Sequence, residues 1–331
     1  MIPHVQRRFW ARFGLLTLAL SALHPSAGAQ TAAAWPSKPI RMIVGYPAGS
    51  SPDMQARLLV EPLSRALGQP VVIENKPGAS GNIGADLIAK ADDGHTIGVI
   101  GNGPLTSSRF LYAKLPYNPE TDFAPIALIG TAPLVWVTAK PAAERSLAAY
   151  LAQARTDGDK LTYGSIGAGS GGHLGMELLK QSLGIRPIHV PFSGGPAILN
   201  AIIGGHVQMT LLPASTVNPL VQAGKLDALA VTSAKRSPLA PTLPSMEDLG
   251  VKGVSIEVWN AVMAPARMPA AHQALLSREL DKIIGAREMR QKLFLQGWKV
   301  DDTSAKGLTQ RIKADTATYQ AVISSNHIRI D

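Results

Sequence analysis

Hydrophobic runs of strand length alternate along the chain with helix-length segments whose apolar residues recur every three or four positions. Residues 39–46 (PIRMIVGY) predict a buried strand, and residues 53–67 predict the helix that follows it. A second strand at 71–74, a second helix at 83–91 and a third strand at 96–101 continue the pattern. This repeated β-loop-α order predicts a parallel sheet with helices on both faces.

The segment at 123–137 (FAPIALIGTAPLVWV) departs from this alternation, because it is long and apolar and is interrupted by Gly130 and Pro133. We interpret it as strands that leave one lobe and enter a second. The alternation then resumes, with helices predicted at 147–154 (with Ser146 as N-cap), 173–183 and 197–203, and strands at 161–165, 188–190, 207–212 and 226–232. Residues 256–263 predict the return to the first lobe, ahead of C-terminal helices near 270–284, 286–296 and 304–325.

The pattern as a whole predicts an α/β protein of two lobes, each a mainly parallel sheet flanked by helices. With 331 residues, 46% of them hydrophobic, the chain is long enough to form two packed cores. The predicted division is a signal peptide at 1–29, a first lobe at 30–131, a second lobe at 132–255, and a segment at 256–331 that returns to the first lobe.

The N-terminus has the organisation of a secretory signal peptide. Arg7, Arg8 and Arg12 form a positive region, a short apolar run follows, and residues 27–29 (AGA) match a signal-peptidase site. The apolar run is too short to span a bilayer, which favours a cleaved signal over a membrane anchor. We therefore expect export to the periplasm, and the Arg7-Arg8 pair leaves the twin-arginine route open beside the general one.

Composition argues against several classes of protein. There is no cysteine, so neither a disulfide nor a lipid-modified N-terminal cysteine can form. Without Arg7, Arg8 and Arg12 the 32 basic residues fall to 29 against 23 acidic ones, a net charge of +6 that helps to attract anions. The basic residues are scattered rather than grouped in a block, so nucleic-acid binding is not expected.

Three loops rich in glycine and serine each follow a predicted strand and lead into a helix. They span 45–53 (GYPAGSSPD), 75–84 (NKPGASGNIG) and 164–173 (GSIGAGSGGH). Free N–H groups and the positive end of the helix dipole suit an anion at a helix start, and glycine lets the backbone approach it closely. Any one such loop is commonly only a turn with a helix cap. Three of them in corresponding positions favour a binding site, in which two loops facing each other across the lobes hold one carboxylate.

The third loop also has two enzymatic interpretations. Residues 167–172 (GAGSGG) match the dinucleotide pattern G-x-G-x-x-G, but the acidic residue expected about twenty positions later is missing, so we reject a dinucleotide site. Ser170 lies in a near match to the nucleophile pattern G-x-S-x-G. The available bases are His173, His189 and His206, and no convincing acid–base partner follows, so a secreted serine hydrolase using Ser170 is only the alternative. Scattered histidines and the absence of cysteine predict neither a metal nor a cofactor.

Six stretches of the sequence together resemble one family. They are 35–40 (WPSKPI), 44–57 (VGYPAGSSPDMQAR), 74–84 (ENKPGASGNIG), 111–119 (LYAKLPYNP), 173–179 (HLGMELL) and 223–237 (AGKLDALAVTSAKRS). These stretches resemble the Bug-type receptors, the TctC-like solute-binding proteins associated with tripartite tricarboxylate transporters. The resemblance covers nearly the whole chain after the signal peptide. It implies the type II periplasmic binding protein fold, the Venus flytrap, and a receptor rather than an enzyme.

The resemblance also implies where a ligand binds. In this family a ligand carboxylate is held largely by backbone groups and ordered water, between the first loop and the loop before the second lobe's helix. Carried over to this chain, the first loop contributes Tyr46, Ala48, Gly49 and Ser50, and the facing loop contributes Ser165, Gly169, Ser170 and Gly171. Further candidates for the cleft are Ser80, Asn102, His173, Phe192 and Ala214.

The implied ligand is a small organic carboxylate, and the implied partners are the membrane subunits of a tripartite transporter. We expect a monomer that closes on its ligand by a hinge motion. A sensor that feeds a signalling receptor uses the same closure, so the sequence leaves sensing open beside transport.

Several positions depart from the common family pattern. Ser50 stands where a second glycine is usual, so the loop is less pliant or gains a hydroxyl donor. Phe192 begins a Phe-Ser-Gly stretch where Tyr-Lys-Gly is common, and Gln208 and Leu212 stand where acidic residues are frequent. A less polar cleft wall near Leu212 leads to the hypothesis of a ligand with an apolar or aromatic body rather than an amino acid.

Overall fold

The computed structural model describes residues 35–139, 152, 154–157, 160–233, 235–251 and 254–329. Residues from Lys38 onward pack as one compact unit, and the following description concerns that unit. The predicted signal peptide and most of the helix predicted at 147–154, with its N-cap Ser146, lie outside the described residues. Within the described ranges, no helix combines the length and the apolar character that crossing a bilayer requires.

Strands and helices alternate along most of this unit. The strands are β1 (Ile40–Val44), β2 (Val71–Asn75), β3 (Thr96–Gly101), β4 (Phe123–Ala139), β5 (Thr162–Ser165), β6 (Ile188–Pro191), β7 (Met209–Pro213), β8 (Leu226–Val231) and β9 (Glu257–Pro265). The helices are α1 (Ser51–Leu67), α2 (Asn82–Ala89), α3 (Asn102–Thr106), α4 (Ser108–Leu111), α5 (Gly171–Leu183), α6 (Gly195–Ile203), α7 (Ala214–Gln222), α8 (Ala270–Gly285), α9 (Arg287–Leu295) and α10 (Ala305–Ser325). One-turn 3₁₀ helices occur at Ala79–Gly81 and Glu247–Leu249.

The long strand β4 belongs to two sheets. The strand order is β2-β1-β3-β9-β4-β7-β5-β6, and β8 also pairs with β4. The part of β4 from Phe123 to Pro133 pairs with β9, whereas the part from Leu134 to Ala139 pairs with β7 and β8. We call β2, β1, β3, β9 and the first part of β4 the first sheet. The second part of β4 with β7, β8, β5 and β6 is the second sheet.

The predicted α/β class is confirmed, and the predicted parallel pattern holds away from the crossover strands. β1 runs parallel to β2 and β3, and β5 runs parallel to β6 and β7. All pairs that involve β4 or β9 are antiparallel. These two strands carry the chain out of the first sheet and back into it, so each sheet is mixed.

Apolar side chains at the predicted positions build a core on each sheet. All six residues of β3 are buried, as expected for a strand covered on both faces. The core beside the first sheet includes Ile88 and Trp259, and the core beside the second includes Trp136 and Leu174. Helix α1 ends at Gly68, whose positive φ of 69° gives the left-handed cap that glycine adopts most easily.

Two features of the fold differ from the sequence prediction. The segment predicted as more than one strand is the single strand β4, whose pairing with β9 shifts register near Pro125 and again before Gly130. Helices α3, α4 and α7 were not predicted. The first two are only five and four residues long, too short to show a helical hydrophobic period. Helix α7 contains Pro219, and a proline inside a segment argues against a helix there.

Thr232 ties together the two strands that connect the sheets. Its side chain is fully buried, accepts the N–H of Leu134 on β4 at 2.8 Å and donates to the carbonyl of Ile256 at 2.7 Å. The backbone of Thr232 makes two further bonds to the same two residues. The Thr232 hydroxyl therefore anchors both β4, which leads into the second sheet, and the residue directly before β9, which leads back into the first sheet.

Replacing this hydroxyl by a methyl group is expected to destabilise the fold. Thr232→Val keeps the side-chain volume but leaves the Leu134 N–H and the Ile256 carbonyl without their buried partner, at a cost of about 2 to 4 kcal/mol. Urea unfolding measures the change in the free energy of unfolding. The control Thr318→Val, at an exposed threonine on α10, is expected to change stability by less than about 0.5 kcal/mol. Equal effects of the two changes would contradict the anchoring role.

Candidate functional site

A cavity of about 60 Å³, the volume open to the centres of water molecules, lies between the loops of the two sheets. The first sheet and its loops contribute Tyr46, Ser50, Ser51, Pro52, Gly101, Asn102, Gly103, Val258 and Asn260. The second sheet and its loops contribute Leu134, Ile166, Ser170, Gly171, Gly172, Gly194, Gly195, Leu211, Leu212, Pro213 and Thr216. Trp298, from the segment after α9, completes the wall.

Five helices begin at the wall of the cavity. Four of them line it with their first residue: α1 with Ser51, α3 with Asn102, α5 with Gly171 and α6 with Gly195. Helix α7 lines it with its cap residue Pro213 and with Thr216 in its first turn. Each helix start has N–H groups without an intrahelical acceptor and carries the positive end of the helix dipole. None of the lining residues is Asp, Glu, Lys, Arg or His. The cavity is therefore electropositive without a charged side chain in its wall, which suits an anion.

Two serine hydroxyls at helix starts are already used by the backbone. Ser50 Oγ donates to the carbonyl of Pro47 at 2.6 Å, and Ser170 Oγ donates to the carbonyl of Gly167 at 2.7 Å. Ser170 Oγ also accepts the N–H of His173 at 3.3 Å as the helix cap. A hydroxyl has one proton, so in this arrangement neither serine donates to a ligand. Of the two effects predicted for Ser50, the geometry favours the less pliant loop.

Asp53 holds the first loop in shape from inside the protein. Its side chain is 1% exposed and accepts three donors: the Gly49 N–H at 2.9 Å, the Arg57 guanidinium at 2.8 Å and the Asn75 amide at 2.9 Å. Asn75 also donates to the carbonyl of Tyr46 at 3.0 Å. Burial acts to raise the pKa of Asp53, but the hydrogen bonds from Arg57, Gly49 and Asn75 outweigh it and hold the pKa below its usual value.

Removing this charge is expected to loosen the first loop. In Asp53→Asn one acceptor oxygen becomes a donor, so the Gly49 N–H and Arg57 lose partners, and stability falls by about 2 to 3 kcal/mol. Thermal unfolding at pH 7 measures this change in the free energy of unfolding. The matched control is Glu61→Gln in the exposed Glu61–Arg65 pair of the same helix, which is expected to change stability by less than about 0.5 kcal/mol.

Two stacked histidines lie beneath the third loop, residues 164–173. The rings of His173 and His189 are 4.2 Å apart, and Tyr163 stacks on His189 at 5.0 Å. His173 Nδ1 accepts the N–H of Gly169 at 3.0 Å, and His189 Nε2 lies 2.6 Å from Ser165 Oγ. A nitrogen that accepts an N–H carries no proton, so His173 is neutral in this arrangement. The pair thus supports the loop that leads into α5.

The surroundings of these histidines keep them neutral. Burial lowers the pKa of His173 to about 4, and the Lys180 ammonium adds to the effect. Burial also lowers the pKa of His189 to about 4, with contributions from His173 and Lys180 and an opposing one from Glu177. Glu177 in turn accepts the Tyr163 hydroxyl at 2.6 Å and the Lys180 ammonium at 2.8 Å.

This arrangement predicts that the fold weakens in mild acid. Both histidines have a pKa near 6.5 when unfolded and about 4 when folded, so the unfolded chain binds more protons between these values. The free energy of unfolding is highest above about pH 6.5 and falls by about 3 kcal/mol for each histidine as the pH drops to 4. Urea unfolding at several pH values measures the slope of the free energy of unfolding against pH.

A matched pair of variants tests the source of that slope. His173→Asn keeps an acceptor for the Gly169 N–H and removes one titrating group, so it is expected to reduce the slope by about half. His206→Asn, at an exposed histidine, is expected to leave the slope unchanged. An unchanged slope in His173→Asn would show that other groups cause the acid sensitivity.

Neither serine of the third loop, residues 164–173, has the arrangement of a hydrolytic nucleophile. The partners of Ser170 Oγ are the backbone groups of Gly167 and His173, and the His173 ring nitrogen Nδ1 is directed to another N–H. Ser165 does contact His189, but Ser165 is fully buried and cannot reach a substrate. The alternative of a hydrolase using Ser170 is therefore not supported.

The loops of the two sheets touch each other around the cavity. Ser51 Oγ at the start of α1 lies 3.0 Å from Thr216 Oγ1 in the first turn of α7. Gly167 packs so closely on Ser80 that a Cβ at position 167 would lie 2.1 Å from Ser80 Oγ. The described conformation is thus closed around the cavity, and this closeness requires a residue without a side chain at position 167.

The structure brings five of the predicted site residues together. Tyr46, Ser50, Asn102, Ser170 and Gly171 all line the cavity. Tyr46 donates its hydroxyl to the Ser80 carbonyl at 3.0 Å, and Asn102 donates to Tyr319 at 2.8 Å. Their roles in ligand binding stay predictions.

The other predicted residues lie behind the wall or beside it. Ala48, Gly49, Ser80, Ser165, Gly169 and His173 belong to the loops that support the lining residues. Phe192 packs against Gly164 and against a further core on the second sheet, which includes Val135 and Ile198. Ala214 is the first residue of α7 and packs against Gly297. None of these eight is among the residues that line the cavity.

Sequence reasoning missed two kinds of lining residue. Gly194 and Gly195 form a fourth glycine-rich helix start, and the signal was present in the run SGGP before an apolar helix. Asn260 and Trp298 come from distant segments that carry no local motif. Only the tertiary fold brings them to the cavity.

Two α/β sheets joined by crossover strands, with an anion-suited cavity between their loops, define the class of two-lobed periplasmic binding proteins. The chain belongs to the TctC family, described as tripartite tricarboxylate transporter family receptors, whose model matches residues 55–328. The predicted resemblance to Bug-type receptors is confirmed by similarity to protein BugT of Bordetella pertussis. The two are 34% identical over 266 residues, which cover 80% of this chain and 81% of BugT.

Solved structures confirm the two-lobed fold. R. palustris Rpa4515 with adipate matches with a TM-score of 0.86 and 32% identity, covering 89% of this chain and 100% of that one. MatC from Rhodopseudomonas palustris with bound malate matches with a TM-score of 0.82 and 27% identity, covering 87% of this chain and 100% of that one.

Proposed function

We propose that the chain is a periplasmic receptor that captures a small organic carboxylate in the cavity between its lobes and delivers it to the membrane subunits of a tripartite transporter. The observation that carries this proposal is the cavity wall, which combines five helix starts with no charged side chain. A carboxylate accepts N–H donors and is favoured at the positive end of a helix dipole. The relatives Rpa4515 and MatC hold adipate and malate, and both ligands are carboxylates.

The proposed lobes follow the predicted division at 131/132 and 255/256. The change of partners within β4, from β9 to β7, falls after Pro133, close to the first of these boundaries. The return strand β9 begins at Glu257, close to the second. Export by a signal peptide at 1–29, through either route, fits the family to which the chain belongs.

Capture is proposed to use closure of the lobes. Contacts from both lobes to one ligand stabilise the closed state relative to the open state, because only the closed state offers both sets of donors. The neutral histidine stack and the Asp53 cluster hold the two loops in the shape that closure requires. The proposed role is binding without turnover, by a monomer.

The apolar part of the cavity wall supports the hypothesis that the ligand has an apolar or aromatic body. Leu212 lines the cavity together with Leu134, Leu211 and Val258, so much of the wall is apolar. The ammonium of an amino acid would lie in this cavity without a carboxylate partner, which is costly in a desolvated site. We therefore propose carboxylates with an uncharged, largely apolar body as the preferred class.

A thermal-shift screen of the mature chain tests the proposed function. Mono-, di- and tricarboxylates, aromatic acids and amino acids form the panel, and a ligand that binds the folded state raises the melting temperature as its concentration exceeds Kd. A saturable shift with carboxylates, absent with amino acids, is the expected result. No shift with any carboxylate, or turnover of an ester, would contradict the proposal.

Gly167 is expected to control closure of the two lobes around the ligand. A Cβ at position 167 meets Ser80 Oγ at 2.1 Å and Ser80 Cβ at 3.1 Å, so Gly167→Ala opposes contact between the loops. We expect Kd for the ligand found in the screen to rise by about tenfold or more, measured by calorimetry. The control is Gly205→Ala, which also has a positive φ, 74° against 116° at Gly167, but no atom within 4 Å of its Cβ. It is expected to leave Kd unchanged. Equal Kd values in the two variants would contradict this closure.

A further inference from the structure

Trp298 lies at the boundary between the cavity and a groove on the outer surface. The residue is 1% exposed and lines the cavity between the two sheets. It also lines an outer groove of about 520 Å³, together with Arg287, Arg290 and Phe294. Among the described residues that line the two spaces, Trp298 is the one they share.

The backbone holds this indole firmly in place. Gly297, with a positive φ of 80°, turns the chain after α9, and the N–H of Trp298 donates to the carbonyl of Leu293 at 2.9 Å. The next residue, Lys299, forms a two-bond bridge with Thr131 on β4, both bonds being 2.8 Å long. Trp298 is therefore anchored to the strand that connects the two sheets.

The rest of the cavity wall has little freedom to give way. It consists mainly of helix starts, whose backbone is fixed by the helices behind them, and of residues on the central strands β4, β7 and β9. The largest side chain in this wall is that of Trp298, which is also the lining residue that the cavity shares with the outer groove. A ligand that extends from the cavity toward this groove therefore meets Trp298.

We propose that Trp298 is the specificity-determining residue that sets the greatest ligand length the cleft accepts. This inference rests on the proposed function, because it assigns a property of the same carboxylate site. Without the indole we expect the cavity to join the outer groove. This groove is lined by the basic residues Arg287, Arg290 and Lys299, and Asp301, the one acidic residue among the described residues that line it, is paired with Lys299. A longer α,ω-dicarboxylate then places its distal carboxylate in that groove, near two guanidinium groups.

The matched control for this proposal is Trp298→Phe. The indole Nε1 has no hydrogen-bond partner among the described residues, so phenylalanine removes no internal hydrogen bond. It keeps an aromatic ring in the wall, whereas Trp298→Ala removes the ring altogether. A difference between the two variants therefore reports the volume of the side chain at this position.

The test is calorimetric titration of the mature protein with straight-chain α,ω-dicarboxylates of increasing length. The wild type and Trp298→Phe are expected to lose affinity beyond the same length. Trp298→Ala is expected to bind the acids beyond that length at least about tenfold more tightly than the wild type does. Circular dichroism and melting curves show whether each variant is folded, and Trp298→Leu replaces the alanine variant if alanine prevents folding.

The outcomes separate this inference from the proposed function. The same length profile in the wild type and in a folded Trp298→Ala or Trp298→Leu protein would overturn the role of Trp298 while leaving carboxylate binding intact. A shift as large in Trp298→Phe as in Trp298→Ala would also overturn it, because the ring would then not be the limiting volume. A wild type that binds no acid of the series and no carboxylate of the screen would overturn both proposals.

Discussion

The central constraint on this protein is that five helices begin at one cavity and none of the described residues in its wall has a charged side chain. Asp53, in the first turn of α1, lies behind this wall and is paired with Arg57. Four of these helices have nine residues or more, long enough for their aligned peptide dipoles to matter. The unpaired N–H groups at the helix starts need acceptors. A carboxylate supplies oxygen acceptors and a negative charge together, which links the fold to the proposed ligand class.

The surrounding structure holds these helix starts close to each other. Asp53 fixes the loop before α1, and the neutral His173 accepts a backbone N–H of the loop before α5. Across the cavity, Ser107 Oγ donates to the carbonyl of Gly169 at 2.6 Å. Such contacts are possible only because small residues meet there, so the glycines of these loops serve closure as well as turn geometry.

Much of this architecture could be predicted from the sequence, because strands and helices have different hydrophobic periods and glycine-rich loops precede helices. Residues 96–101 and Gly68 show this, since the predicted strand and helix end agree with the structure. The continuity of β4 was hidden because Gly130 and Pro133 look like breaks. In the structure Pro133 falls where β9 pairing gives way to β7 pairing. Trp298 could not be predicted, because its position depends on a bridge to Thr131, far away in sequence.

The most direct measurement compares one carboxylate with its primary amide. The acid that gives the largest thermal shift and the amide of the same skeleton are titrated into the mature protein by calorimetry at neutral pH. We expect the amide to bind at least about a hundredfold more weakly, since it lacks the charge and replaces one acceptor oxygen by a donor. Equal affinity of the acid and the amide would contradict the claim that helix starts select an anion.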